Sequence, residues 1–434
     1  MKQRFNKLTH ELCVEAVLSC FDKKWNRSEI LEFIEQYGGV SRKEIFADYY
    51  YQRMTARNEA AENCALYLEE IVDSIMHGRI PEEIQPVAVR QRADGMTGKI
   101  RDIACLCMQH QLIGHLVKLG LDPLLHARLL PTQHASIPGH GQTRLKTQVG
   151  YYLRRKKLNI RCFQKTDVHH AYESTKYSAI VRILKKEIPR AKWIIALMEY
   201  IETIAPEGHL IIGGYLDAWM FNFVMSYAIR YTLDQHTYRR GTRNHYAVRI
   251  ETYMDDFAIF GRTKSNVKKA IRCLRKYLKE TFGMELNVTT KIITLNTIRQ
   301  ERARRKQKRP SKRGNPSLDM GGYQIHLSYV TMRPRVVKRV RRTFLRAYRE
   351  LLETGTIRTR RSKTLSARYG FVVQTTSKYF RQKYHVDEVM ATARKVNAYL
   401  DRRNDQKKKE WLRNVISQDS VYDRAFCGHC RKSA

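Results

Sequence analysis

Two adjacent aspartates, Asp255 and Asp256, interrupt a stretch whose composition is otherwise that of β-strands, with β-branched and aromatic residues on both sides at 248–253 and 257–260. Neighbouring side chains of a strand point to opposite faces, so a straight strand would turn one carboxylate inward. A tight turn between two strands instead places both carboxylates at a hairpin tip. There they are suited to bind the pair of Mg²⁺ ions used in phosphoryl transfer. A charged turn without a site is the alternative for this pair taken alone.

The net charge of the chain indicates a polyanionic partner. Its 434 residues include 81 Lys and Arg against 42 Asp and Glu, a net charge of +39. This excess favours nucleic acid over an anionic membrane surface, and its spread along the whole chain suits a long groove. The length allows two or three domains.

Cysteine usage and the apolar segments argue against a disulfide-rich protein and against a membrane protein. Nine cysteines, an odd number, argue against a disulfide framework and for a reducing cytoplasm. Cys427 and Cys430 have the spacing of half a zinc site, but no second pair follows them, so we do not predict zinc. The chain does not open with a signal peptide. Residues 210–229 imitate a membrane span, but Asp217 and two glycines favour a buried helix.

The first 80 residues are predicted to be helical. Ser41 and Glu44 form a capping-box pattern, and Gly38 and Gly39 end the preceding helix. Two alternating strands then surround an Asp-Gly turn near residue 94 and form a predicted hairpin. Alternation places Lys99 and Arg101 on one face of it, where they are suited to hold a triphosphate. Exposed cations without that role are the alternative.

Further segments along the chain carry candidate site residues. A strand at 160–168 leads into Asp167, although an aspartate at a strand end is also a common helix cap. A loop containing Gly208, Gly213 and Gly214 precedes the apolar helix, and its glycines allow a close backbone approach or a plain turn. We predict an amphipathic helix at 264–281 with apolar residues inward and a basic outer face, and a basic loop at 299–313 that contacts phosphates. A hairpin at Gly321 and a basic helix at 335–353 follow, and aromatics among cations near the C-terminus suit a nucleic-acid groove.

Taken together, these segments resemble a reverse transcriptase from about residue 87 to residue 390. The residues from Tyr253 to Asp256 are similar to the Tyr-x-Asp-Asp motif, and Asp167 with an aromatic five residues later is similar to the first palm motif. The other similarities are the fingers hairpin at Lys99 and Arg101, the template-gripping glycines at 208–215, the fourth motif at Leu286, Asn287 and Lys291, and the primer grip at Gly321, Gly322 and Tyr323.

The resemblance implies an α+β right-hand polymerase with fingers, palm and thumb and a βαββαβ palm. The expected divisions are a helical N-terminal extension at 1–80, fingers at 81–160, a palm at 161–330, and a helical thumb with a C-terminal tail at 331–434. A fingers insertion is expected within the palm at about 176–207.

The resemblance also implies roles for individual residues. Asp167, Asp255 and the carbonyl of Val168 would bind two Mg²⁺ ions, with Mn²⁺ as an alternative, and Asp256 would support the metal site less directly. Lys99 and Arg101 would neutralise the triphosphate, Tyr172 would exclude the ribose 2′-hydroxyl, and Lys291 would donate a proton to pyrophosphate. The template and primer contacts would come from Gly208, Gly213, Gly214, Gly322, Tyr323, Arg339 and Arg342.

The expected function is that of an RNA-directed DNA polymerase with an RNA template, dNTPs and a DNA product. A stand-alone bacterial enzyme that copies a dedicated non-coding RNA in antiphage defence is our first hypothesis, and a diversity-generating retroelement enzyme is the second. Asp217 departs from the family pattern and motivates a third, an untemplated or protein-primed polymerase. A non-catalytic RNA-binding protein on the same fold is the fourth. No membrane partner is expected, and a second copy of the chain or an accessory protein is left open.

Overall fold

The computed structural model describes residues 4–79, 84, 87–93, 100–155, 158–287, 290–295, 317–327 and 329–417. In this part of the chain every pair of strands is antiparallel, and helices lie before, between and after the strands, which confirms the α+β prediction. The helices are α1 His10–Phe21, α2 Ser28–Phe33, α3 Arg42–Tyr51, α4 Thr55–Met76, α5 Met108–Arg128, α6 Gln142–Arg154, α7 Tyr177–Glu187, α8 Lys192–Ile204, α9 Tyr215–Asp234, α10 Lys264–Phe282, α11 Pro334–Thr354, α12 Thr359–Val373, α13 Lys378–Lys383 and α14 Val386–Ser417. The strands are β1 Ala88–Ala93, β2 Ile100–Cys105, β3 Cys162–Val168, β4 His236–Arg239, β5 Thr242–His245, β6 Arg249–Tyr253, β7 Asp256–Gly261, β8 Leu286–Asn287, β9 Ile293–Thr294, β10 Leu318–Met320, β11 Tyr323–Ile325 and β12 Val330–Met332.

The N-terminal helices form as predicted and share a core with the rest of the chain. Ser41 and Glu44 make both hydrogen bonds of a capping box at the start of α3. Gly39, with φ of +62°, ends the helical turns before it. Helix α1 packs against α4 and α5, so the apolar cluster of the first helices continues into the central part of the molecule.

The central sheet has the strand order β6-β7-β3-β8, with every pair antiparallel, and β9 pairs with the start of β3. Helices α7 to α9 separate β3 from β6, and α10 separates β7 from β8, which is the predicted βαββαβ order. Alternation divides the apolar side chains of the strands between two clusters. Ile250, Phe257 and Ile259 join the main core, and Phe163 and Phe260 join a second cluster with β10 and β11.

Most of the apolar segment that imitates a membrane span lies in α9, which begins at Tyr215. Almost every residue of its central turns is buried, including Phe221, Phe223 and Val224. In the described part of the chain, no helix has the length and apolar character needed to cross a bilayer. This agrees with the prediction of a buried helix.

The predicted hairpin before the sheet is present as β1 and β2. Strand β2 continues to Cys105, and α5 runs from Met108 to Arg128. The backbone stays extended at Ala104 because its N–H donates to the carbonyl of Ile212 over 2.8 Å. Lys99, the basic loop at 299–313, Cys427 and Cys430 lie outside the described residues.

The C-terminal helices α11 to α14 form a third apolar cluster, and α14 extends beyond it. Residues 401–410 of α14 are exposed on all sides, which is typical of a helix that bridges two parts of a molecule. Beyond them the Trp411 ring meets Phe46 edge to face at 4.7 Å, and the Lys408 ammonium lies 4.6 Å from the ring centre of Tyr49. The last helix therefore connects the C-terminal cluster to α3, a contact that the sequence did not predict.

Candidate active site

The two central aspartates lie at the tip of a hairpin formed by β6 and β7, as predicted. Tyr253 pairs with Asp256 across the two strands, which leaves Met254 and Asp255 as a two-residue turn. Met254 has φ of +52°, the left-handed backbone that tight hairpin turns use. Phe257, directly after the pair, is fully buried and anchors β7 in the core.

The third aspartate comes from the neighbouring strand. Asp167 lies opposite Asp256 in the pairing of β3 with β7, and the N–H of Val168 donates to the carbonyl of Asp255 over 3.1 Å. The Asn287 side-chain amide on β8 lies 3.4 Å from the Asp167 carboxylate. Two strands and one turn thus bring together the three carboxylates that the sequence singled out.

The carboxylates influence each other electrostatically. The Asp255 side chain reaches solvent at the tip of the turn, yet surrounding protein displaces part of its water and raises its pKa, and the charges of Asp256 and Asp167 raise it further. Partial burial also raises the pKa of Asp256, while the Lys165 ammonium, 2.8 Å from that carboxylate, acts in the opposite direction. Repulsion of this kind is relieved when a cation binds between carboxylates.

The donor set fits a divalent cation. Carboxylate and carbonyl oxygens are the ligands that Mg²⁺ prefers, and Asp167, Val168 and Asp255 supply both types from adjacent positions. Among the described residues, no three carboxylate, imidazole or thiolate side chains are arranged as a preformed metal site. At the tip of the hairpin, Lys165 pairs with the Asp256 carboxylate, and Asp167 and Asp255 are the candidate side-chain ligands.

Tyr172 lies near enough to Asp255 to be affected by its charge. Its ring stacks on Phe221 of α9, with centres 5.5 Å apart and planes 12° from parallel. Burial raises the pKa of Tyr172 far above its usual range, and the negative charges of Asp217 and Asp255 add to the shift. Arg101 is exposed on β2, and Lys291 is exposed between β8 and β9, so their placement beside a nucleotide stays a prediction.

The glycine loop packs directly against β2. Gly213 has φ of +114°, and a Cβ atom there would lie 2.9 Å from the carbonyl oxygen of Ala104. A Cβ atom on Gly214 would lie 1.7 Å from the Asp217 carboxylate. These two positions therefore require glycine for close packing within the protein, and Gly208, with φ of +69°, forms a turn before them.

Asp217 does not face a nucleic-acid strand. Its side chain is 3% exposed, and one carboxylate oxygen accepts hydrogen bonds from the Tyr177 hydroxyl and the Ile211 N–H, each over 2.8 Å. The carboxylate thus closes the glycine loop from inside. The observation that motivated an untemplated or protein-primed polymerase is thereby removed.

Asp217 should make stability depend on pH. Burial raises its pKa from 3.8 to about 6, although its hydrogen bonds act in the opposite direction. Between these values the folded chain holds a proton that the unfolded chain has released. The protonated group therefore stabilises the fold at low pH, and this contribution of about 2–3 kcal/mol is lost as the pH rises through 6.

We expect Asp217→Asn to remove this dependence of stability on pH. The measurement is the difference between the urea unfolding free energies of variant and wild type from pH 4 to 7. Parallel curves would show that the prediction is wrong.

The remaining predicted nucleic-acid contacts differ in exposure. Tyr323 is buried, its ring 5.5 Å from that of Phe371, and Gly322 has φ of +83° with its Cα facing the same ring. Contacts of Gly322 and Tyr323 with a primer would therefore come from the backbone. Arg339 is half-buried and Arg342 is exposed on α11.

One neighbour of the hairpin was not predicted from the sequence. Residues 132–135, in the loop between α5 and α6, are buried and run parallel to β6, with Gln133 bridged to Thr252. His134 pairs there with Glu251. Glu251 itself was the available signal, because a charged residue within an apolar strand needs a buried partner.

Comparisons with known proteins bear on this site. The family model described as "Reverse transcriptase (RNA-dependent DNA polymerase)" matches residues 89–308, just over half of the chain, and includes all three aspartates. No curated protein matches the chain. Among solved structures, the chain is similar to a Sicinivirus 3Dpol RNA-dependent RNA polymerase, with 12% identity, a TM-score of 0.40, and coverage of 76% of this chain and 67% of that one. It is also similar to telomerase from Candida albicans, with 10% identity, a TM-score of 0.36, and coverage of 91% and 78%.

Proposed function

Because the chain belongs to the reverse transcriptase family and is an RNA-directed DNA polymerase, we propose that the β6–β7 hairpin and the end of β3 form its polymerase centre. The observation that carries this proposal is the pairing of Asp167 with Asp256 and of Val168 with Asp255. We assign the fingers to 81–160, the palm to 161–330 with an insertion at about 176–207, and the thumb to 331–434. Residues 1–80 are a helical extension.

Asp167 and Asp255 are the proposed ligands of two divalent cations, with the carbonyl of Val168 as a further donor. When bound, such ions lower the pKa of the primer 3′-hydroxyl and offset charge on the leaving pyrophosphate. Asp256 supports the site indirectly, since Lys165 pairs with its carboxylate. Lys291 is the proposed proton donor to pyrophosphate.

The incoming nucleotide is proposed to lie between the fingers hairpin and Tyr172. Arg101 and Lys99 neutralise its triphosphate, and the Tyr172 ring, supported by Phe221, excludes a ribose 2′-hydroxyl. The glycine loop and the backbone at Gly322 and Tyr323 hold template and primer. Arg339 and Arg342 contact phosphates of the duplex, in keeping with the net charge of +39.

The proposed biological role is copying of a dedicated non-coding RNA in antiphage defence, with diversification of a target gene as the second candidate. Every cysteine within the described ranges is a free thiol, which supports action in a reducing compartment.

Sequencing the nucleic acids that co-purify with the protein from its own host tests this role, with Asp255→Asn as control. We expect one abundant RNA together with its complementary DNA, and the DNA should be lost in the variant. DNA that is a variable copy of a repeat from a neighbouring gene would instead favour diversification of a target gene. Simple-repeat DNA without a matching RNA would indicate untemplated synthesis, and RNA alone, unchanged in the variant, would indicate a protein that only binds RNA.

A further inference from the structure

The outer edge of the β6–β7 hairpin is paired with a loop. Residues 132–135, here called the edge segment, lie beside β6 and exchange two backbone hydrogen bonds with it. The Thr252 N–H donates to the carbonyl of Thr132 over 2.9 Å, and the His134 N–H donates to the carbonyl of Thr252 over 3.1 Å. The pairing is parallel and ends close to the turn that contains Asp255.

A buried side-chain pair joins the same two segments. The His134 Nε2 and Glu251 Oε2 atoms are 2.6 Å apart, and both side chains are fully buried. The other oxygen of Glu251 pairs with Arg249, whose guanidinium lies 3.6 Å from the ring centre of Tyr152. Among the described residues, His134 Nδ1 has no hydrogen-bond partner, so the contact with Glu251 orients the ring. A buried carboxylate needs such partners, and the pair therefore fixes the separation of the edge segment from β6.

Two more contacts tie the edge segment to its surroundings. The Gln133 amide donates to the carbonyl of Asn222 on α9 over 2.7 Å, and the Asn222 amide donates to the carbonyl of Ala135 over 3.0 Å. Beyond the segment, the Ser136 hydroxyl lies 3.8 Å from the sulfur of Met254 within the turn. The hairpin is thus held on both sides, because the edge segment pairs with β6 and β3 pairs with β7.

We propose that His134 and Glu251 are positioning residues of the polymerase, which fix the turn that carries Asp255 through the edge of β6. The proposal rests on the polymerase function proposed above. Neither side chain touches the reacting groups. Loss of the pair shifts the hairpin tip relative to Asp167, and a small displacement of reacting groups slows a reaction by about tenfold to a hundredfold.

The test uses the full chain with His134→Ala, Glu251→Gln and the double variant. Glu251→Gln keeps the size of the side chain and an acceptor for the imidazole, so it remains informative if His134→Ala does not fold. His77→Ala is the matched control. It removes a histidine that also pairs with a carboxylate, but this pair is exposed: His77 Nδ1 lies 3.3 Å from Asp73 Oδ1. The measurements are the single-turnover rate of dNTP addition at saturating dNTP, the Kd for primer-template, the Tm, and amide hydrogen exchange at Thr252.

We expect the rate to fall about tenfold to a hundredfold in both single variants, with Kd close to wild type and faster exchange at Thr252. The Tm should fall more in His134→Ala than in Glu251→Gln, because His134→Ala leaves the buried Glu251 carboxylate without its imidazole partner. The double variant should be no slower than the slower single variant, because the two residues act as one unit. An unchanged rate in a folded variant would overturn the proposal, as would rate losses that multiply in the double variant. If the wild-type chain adds no nucleotide, the proposed function fails, and exchange then decides the positioning separately. Exchange that becomes faster at Thr252 but not at the amides of α4, which lies away from the hairpin, supports it, and unchanged exchange at Thr252 overturns it.

Discussion

Asp255→Asn is expected to lower the rate of single-nucleotide addition by about a thousandfold or more, to background. Asparagine keeps the shape of the side chain but removes the charge that attracts a divalent cation, and loss of several kcal/mol of transition-state stabilisation has an effect of this size. The turn itself should persist, because its link to β3 is the backbone hydrogen bond from Val168 to the Asp255 carbonyl. The measurement is extension of a labelled primer by one dNTP in Mg²⁺.

The control for this variant is Asp405→Asn, which removes an exposed carboxylate from the bridging part of α14. It should extend the primer at the wild-type rate. Primer extension by Asp255→Asn at the wild-type rate would exclude the hairpin tip as the metal site.

Tyr172→Ala is expected to relax the discrimination against ribonucleotides by about a hundredfold, the scale of steric selection in a packed pocket. The Tyr172 ring stacks on Phe221, so its position is fixed. Alanine would open space for a 2′-hydroxyl and leave the carboxylates unchanged. The measurement is the ratio of kcat/KM for a dNTP to that for the matching rNTP on one RNA template.

Tyr172→Phe provides the matched comparison. It retains the ring and the stacking on Phe221 and should keep the discrimination of the wild type. Equal relaxation in both variants would mean that the hydroxyl, rather than the ring, selects the sugar. Unchanged selectivity in Tyr172→Ala would exclude this residue from sugar selection.

The hairpin and the buried helix α9 could be predicted because their signals are local. The apolar residues on both sides of Asp255 and Asp256 are typical of two strands joined by a tight turn, and few other local structures fit this pattern. Likewise, the glycines and Asp217 within residues 210–229 distinguish a buried helix from a membrane span, and α9 has the expected burial.

The contacts that depend on distant parts of the chain could not be predicted. His134 and Glu251 are 117 residues apart, and a local pattern shows that Glu251 needs a partner without showing which one. The direction of the Asp217 side chain depends on Tyr177 and on the Ile211 backbone, so the sequence alone did not show which groups this carboxylate contacts. The contact between Trp411 and Phe46 depends on where a long helix ends relative to α3.

The most direct test of the central claim is primer extension by the full chain on a heteropolymeric RNA template with all four dNTPs and Mg²⁺, followed by sequencing of the product. We predict DNA complementary to the template, made only when both RNA and divalent cation are present and absent with Asp255→Asn. Failure to make DNA under these conditions, or DNA whose sequence is independent of the RNA, would contradict the account.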